Sequence, residues 1–305
     1  MGAMKLSAAL VFLGYVRIDI WAMGESRSNS TERGARLWFH VGPHKTASTT
    51  IQKQLKAWQT YLSSDGWTWE DPAQFGHLRG QMTQIMNVAE CYKIPSKYKD
   101  NIETICSDWL HFLDQLKGTS KKVVMSSERF DTINDTSVAQ LAFDLSHIST
   151  TIVMVYRPFY DWIASWYRQL KDHGQVELAF ADWLSVSNME YYAYNFSFTT
   201  SLHSRYAAHF SDVKVHVMGP DMMTDIACDD FNATNTCAMS RKGKVMKQNV
   251  RAKSSPGECL SSLQLQTLRT ISIELHRAAY GIFASSSFPA ADFDAKARIC
   301  FGNPL

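Results

Sequence analysis

The chain has 305 residues, of which 45% are apolar, 12% aromatic and 20% charged, with a formal net charge of +2 at pH 7. This is ordinary globular composition, which excludes a disordered, collagen-like or coiled-coil chain and suits one large domain with small appendages. A balance so near neutrality gives no support for general nucleic-acid binding, so any basic site must be local.

Leu6 to Val16 (LSAALVFLGYV) form an apolar run behind Lys5, and Arg17 and Asp19 interrupt its extension to Met23. A bilayer span takes about 20 apolar residues, and each charge at its centre costs about 2.5–3.5 kcal/mol. Residues 1–23 therefore read as a signal peptide or a weak signal anchor. Residues 24–36 read as a polar stem or linker, and 37–305 as the folded domain. Leu37–Gly42 (LWFHVG) is a buried strand ended by Gly-Pro, and a helix is expected from Thr49 to Leu62. Residues 63–100 look irregular and aromatic-rich. Asn101–Leu116 has an apolar face at helical spacing, Lys122–Ser127 is a strand, Val138–Ile148 a helix and Thr150–Tyr156 a strand. Pro158 sits where a first-turn proline would sit, and Phe159–Leu170 continues that helix. A helix at Thr199–Phe210, a strand at Val213–Met218 and a long helix at Glu258–Tyr280 complete the pattern. Strands alternating with helices predict an α/β fold, a parallel sheet flanked by helices.

The six cysteines, Cys91, Cys106, Cys228, Cys237, Cys259 and Cys300, include no C-x-x-C pair, which disfavours a zinc ribbon or a thioredoxin-type site. An even number behind a leader-like segment favours disulfides. Sequons stand at Asn29, Asn134, Asn195 and Asn232, and with the leader they point to the secretory lumen.

Ligands in parallel sheets bind beyond the carboxyl ends of the strands, so the residues after Gly42, Ser127 and Tyr156 are expected to share one crevice. The first such end reads Gly42-Pro43-His44-Lys45-Thr46-Ala47-Ser48-Thr49-Thr50. Small and hydroxyl residues, a helix N-terminus and the Lys45 charge make a phosphate cradle. It is not a Walker A loop: counted from Gly42, the lysine stands three residues too early, which disfavours a triphosphate–Mg²⁺ site.

This loop resembles the 5′-phosphosulfate loop of the sulfotransferases that use 3′-phosphoadenosine 5′-phosphosulfate (PAPS), above all the Golgi heparan and carbohydrate types. Ala47 stands where that family has Gly. Arg157-Pro158-Phe159-Tyr160-Asp161-Trp162-Ile163-Ala164-Ser165 resembles the family's 3′-phosphate motif, with Arg and Ser at the family's spacing. Cys228 to Cys237, followed by Ser240-Arg241-Lys242-Gly243-Lys244, resembles the disulfide hairpin and basic loop of the heparan enzymes. The resemblance runs from about Leu37 to Lys244. It implies a P-loop-like parallel sheet and PAPS as co-substrate, held by His44, Lys45, Thr46, Ala47, Ser48, Thr49, Arg157, Ser165, Arg241, Lys242 and Gly243, with no metal. It implies that Lys45 neutralises the leaving oxygen, and that a Glu or His near the end of the second strand is the acceptor's base. Glu128 is the candidate; the alternative is a structural ion pair with Arg129 or another basic residue. Ser127 is a possible cofactor contact or a strand-packing residue. A carbohydrate acceptor, a Golgi-lumen location and a Cys228–Cys237 bridge are implied in the same way. Cys91–Cys106 is guessed, which leaves Cys259–Cys300. His77 reads as structural. Trp58, Tyr61, Trp67 and Trp69 suit either sugar stacking or the core. The rival functions are a P-loop kinase and a silent binding protein of the same fold.

Overall fold

The computed structural model describes residues 34–44, 46–69, 88–93, 102–186, 198–242 and 262–283. The leader, most of the stem, Lys45, His77, Asn29, Asn195, Gly243, Cys259 and Cys300 lie outside them.

Five strands form one sheet in the order β2-β3-β1-β4-β5, and every neighbouring pair is parallel. They are β1 (Arg36–Gly42), β2 (Trp67–Trp69), β3 (Lys122–Ser126), β4 (Ser149–Tyr156) and β5 (Asp212–Val217). The expected α/β class holds. β1 is buried along nearly its whole length, as a central parallel strand covered on both faces must be. Leu37, Phe39 and Val41 face one side with Val123, Met125, Ile152 and Met154. Trp38, Val124, Val153 and Val155 face the other.

The first face is covered by α3 (Ile102–Leu116), α4 (Asp135–Asp144) and α7 (Phe198–Ala207), through Trp109, Leu113, Leu116, Val138, Leu141, Leu202 and Tyr206. The second lies under α1 (Ser48–Ala57), α2 (Gln59–Ser64) and α8 (Met222–Asp225), through Ile51, Leu55, Leu62, Met222 and Met223. A third apolar cluster joins α5 (Phe159–Asp172), α6 (Phe180–Val186) and α10 (Ser262–Phe283) around Tyr156.

Several expectations are corrected. The helix expected over Thr49–Leu62 starts one residue earlier and breaks at Trp58, where φ −91 and ψ 1 let the chain turn into α2. The stretch read as irregular supplies β2, because the alternation of Trp67 and Trp69 about exposed Thr68 suits an edge strand with one buried face. Trp58, Trp67 and Trp69 are all buried there, so they are core and not a sugar platform. The helix expected at Val138–Ile148 begins at Asp135, because Asn134 Oδ1 caps it by accepting from the Ser137 N–H at 2.9 Å. Pro158 is the residue before α5 and not its first turn: its ψ of 139 is extended, while its carbonyl accepts from the N–H groups of Asp161 and Trp162.

Cys91–Cys106 and Cys228–Cys237 are both bridged, with Cα atoms 5.6 and 4.7 Å apart. The second is not a β-hairpin. It joins a π-helical turn, Ile226–Asp230, to α9 (Thr234–Arg241). Closing so short a loop stabilises it by about 2.5–3 kcal/mol in the chain-entropy view.

That unit is pinned to the sheet by Asp230. Its Oδ2 accepts from Trp38 Nε1 at 2.9 Å and faces His216 Nε2 at 2.7 Å, and its Oδ1 takes Lys214 Nζ at 3.0 Å. Burial works against the charge, but the hydrogen bond and charge of His216, then Trp38 and Lys214, outweigh it and hold the carboxyl below its ordinary range. A lowered carboxylate stabilises the fold above its unfolded pKa and stops doing so as pH falls through the folded value. Asp230→Ala should cost about 3 kcal/mol at pH 7 by stranding buried donors. In urea unfolding, that difference should begin to shrink below about pH 4. An unchanged midpoint at pH 7 would show that Asp230 pins nothing.

Candidate active site

β3 and β4 lie on opposite sides of β1, so the winding of the sheet reverses at β1. The ligand crevice of such a sheet opens beyond the strand ends at that point. Three segments meet there: the loop after Gly42, the 3-10 turn Glu128–Thr132 after β3, and the Arg157 corner leading into α5.

Gly42 leaves β1 with φ 114. A Cβ at this position would come within 3.2 Å of the Glu128 carbonyl oxygen and within 3.2 Å of the Asp131 Cβ. The strand end thus lies directly on the 3-10 turn, an approach open to glycine alone.

His44 is fastened from two sides. Its backbone N–H donates to Asp131 Oδ2 at 2.7 Å, and its ring Nδ1 lies 2.5 Å from the same oxygen. Its carbonyl accepts from Trp162 Nε1 of α5 at 3.1 Å. The Thr46 hydroxyl donates back to the Pro43 carbonyl. Burial disfavours the imidazolium, but the Asp131 hydrogen bond and charge, with the Glu128 charge, outweigh it against Arg129, so the His44 pKa is raised above 6.5.

Ala47 opens α1 in the left-handed region, at φ 70 and ψ 14, and supplies no side-chain cap. The first turn of α1 carries no acidic residue and, among the described residues, no side chain caps it. Ser48 is 3% exposed and, among the described residues, its Oγ has no hydrogen-bond partner. A buried hydroxyl left unpaired costs about 1–3 kcal/mol, and an anion at this helix start would satisfy it together with the N–H groups. Thr46 is buried and Thr49 exposed.

Arg157 stands one residue beyond β4, and its Nε donates to Asp161 Oδ2 at 2.8 Å. Ser165 is half-buried on α5. The Trp162–His44 hydrogen bond therefore joins the loop to the same helix that carries the Arg157 corner. Glu128 is half-buried and near enough to act on His44. Among the described residues it forms no ion pair with Arg129, whose Nε is buried without a partner. The Ser127 N–H donates to the His40 carbonyl at 2.8 Å, extending the strand ladder. Arg241 and Lys242 are exposed at the end of α9, on the disulfide-closed unit; among the described residues, no hydrogen bond or ion pair joins them to the loop.

The structure is similar to that of a bacterial sulfotransferase. The match is to a crystal structure of a sulfotransferase from Alicyclobacillus acidocaldarius, at TM-score 0.45 and 12% identity, covering 84% of this chain and 98% of that one. No family model matches the chain, and no curated protein matches it. Among the described residues, no group of three or more His, Cys, Asp or Glu side chains is gathered as a metal site requires, and no helix is long and apolar enough to cross a membrane.

Asp131 and Trp162 are the two site residues whose roles sequence reasoning missed. No motif in the sequence marks either role. Ala47 yields a test of the loop. A β-branched side chain is strained at positive φ, so Ala47→Val should destabilise the protein by about 1–2 kcal/mol, whereas Ala47→Gly should be tolerated. Equal melting temperatures for the two variants would contradict the left-handed start of α1.

Proposed function

We propose that this protein is a sulfotransferase that moves the sulfuryl group of PAPS to a hydroxyl or amine acceptor, in keeping with its resemblance to the carbohydrate enzymes. The observation that supports the reading is the buried Ser48 hydroxyl, without a hydrogen-bond partner among the described residues, at the start of α1, beside the strand β4 whose end Arg157 follows. PAPS is an anion at both ends of its ribose, and this crevice has anion-binding groups on two adjacent strands.

In this reading the α1 N-terminus, Ser48, Thr49 and Thr46 hold the 5′-phosphosulfate. Arg157 and Ser165 take the 3′-phosphate, to which a forked guanidinium is suited. Lys45, between His44 and Thr46 in the chain, neutralises the bridging oxygen as the sulfuryl group departs. Arg241, Lys242 and Gly243 are assigned to the cofactor by resemblance alone. The two disulfides favour an oxidising compartment, in keeping with a secretory location; the Golgi lumen and a glycan acceptor are assigned by resemblance alone.

The test is calorimetry with adenosine 3′,5′-bisphosphate and with ATP–Mg²⁺, followed by transfer of labelled sulfate from PAPS to a glycan panel. The bisphosphate should bind and ATP should not; the reverse would favour a kinase. Arg157→Ala should weaken the bisphosphate by about 10- to 100-fold, and Lys45→Ala should lower turnover by about 10²-fold or more. Binding without any transfer across the panel would favour a silent binding protein.

A further inference from the structure

His44 stands out among the crevice residues because two of its own hydrogen bonds end on one buried oxygen. Asp131 is 3% exposed, and its Oδ2 receives both the His44 N–H and the ring Nδ1. With the ring nitrogen so placed, Nδ1 carries the proton toward the carboxylate and Nε2 is turned to the other edge of the ring. The His44 side chain is 33% exposed, so that edge has room for a ligand. The carbonyl of the same residue is held by Trp162, which stops the backbone from turning the ring away. This is the arrangement of a histidine base oriented by a carboxylate, as in hydrolase triads.

We propose that His44, oriented by Asp131, is the base that takes the proton of the acceptor hydroxyl. The proposal rests on the sulfotransferase reading and deepens it. The acceptor O–H proton passes to Nε2 of neutral His44, and the acceptor oxygen forms a new bond to sulfur. The bond from sulfur to the bridging oxygen of the 5′-phosphate breaks, and its electron pair stays on that oxygen. The products are a sulfate ester and adenosine 3′,5′-bisphosphate, and the imidazolium then returns its proton to water.

Among the described residues, the charged groups acting on His44 come from the 3-10 turn: Asp131, Glu128 and Arg129. α5 presents Trp162, which does not titrate. Glu128 then has a different task. Its charge, with that of Asp131, favours the imidazolium formed as the acceptor loses its proton. A pKa raised above 6.5 means that the base is free only at higher pH, so turnover should climb with pH along a limb lying above 6.5.

The experiment measures turnover against pH for the wild type, His44→Gln, Asp131→Asn and Glu128→Gln, with bisphosphate affinity for each and imidazole ¹⁵N spectra of the wild type. His44→Gln should lose 10²-fold or more in turnover and the acidic limb with it, while bisphosphate affinity changes less than about threefold. Asp131→Asn should fold, retain the limb and move it to lower pH by about one unit or more. The spectra should show the Nδ1–H tautomer, a readout that needs no variant. A limb that survives in His44→Gln and vanishes in Glu128→Gln would overturn the proposal and give the proton to Glu128. An Nε2–H tautomer would overturn it as well. Failure of the wild type to bind the bisphosphate would reject the sulfotransferase reading itself, and this proposal with it.

Discussion

The site depends on how closely the end of β1 lies against the turn that follows β3. Gly42 has neither room for a Cβ nor a φ that other residues favour. Because it presses on the Glu128 carbonyl and Asp131, the next residues must pass between that turn and α5. Asp131 then fastens His44 from one side and Trp162 from the other. With its entry held in this way, the loop delivers α1 with its uncapped end toward the crevice. A loop fixed by packing and hydrogen bonds loses little entropy when an anion arrives, which is the physical meaning of preorganisation.

Histidines on this strand and loop meet opposite fates four residues apart. His40 is fully buried in β1, bonded to Ser126 Oγ at 2.8 Å, and burial, then His216, push it down to about 3. It is neutral at any physiological pH, buried within the sheet. His44 is just past the strand end, where Asp131 and Glu128 reverse the effect of burial. The same residue type is a structural dipole in one position and a titrating group in the other. The carboxylates of the 3-10 turn decide which.

Much of this fold was legible because parallel strands buried on both faces give continuous apolar runs, as at Leu37–Gly42 and Thr150–Tyr156. The loop between β1 and α1 was legible for a local reason: a strand, a glycine and a helix start follow one another within a few residues. What escaped was set by tertiary contact. β2 is three residues long and reads as loop until Trp67, Trp69 and Phe231 share a core. The segment Cys228–Cys237 resembled a hairpin, yet Asp230 draws it into a helical unit by bonding Trp38 across 192 residues of chain. Asp131 carries no motif of its own, and its role appears only once Gly42 lies against it.

The division of labour within the 3-10 turn follows from the same geometry. Asp131 is buried and holds His44 through two contacts on one oxygen. Glu128 is half-buried and acts on His44 through its charge. A carboxylate that stays charged beside a histidine stabilises imidazolium formation without moving the proton itself, which is the efficient arrangement when the histidine has the exposed edge. Two acids three residues apart on one turn are thereby useful in different ways, one by geometry and one by field.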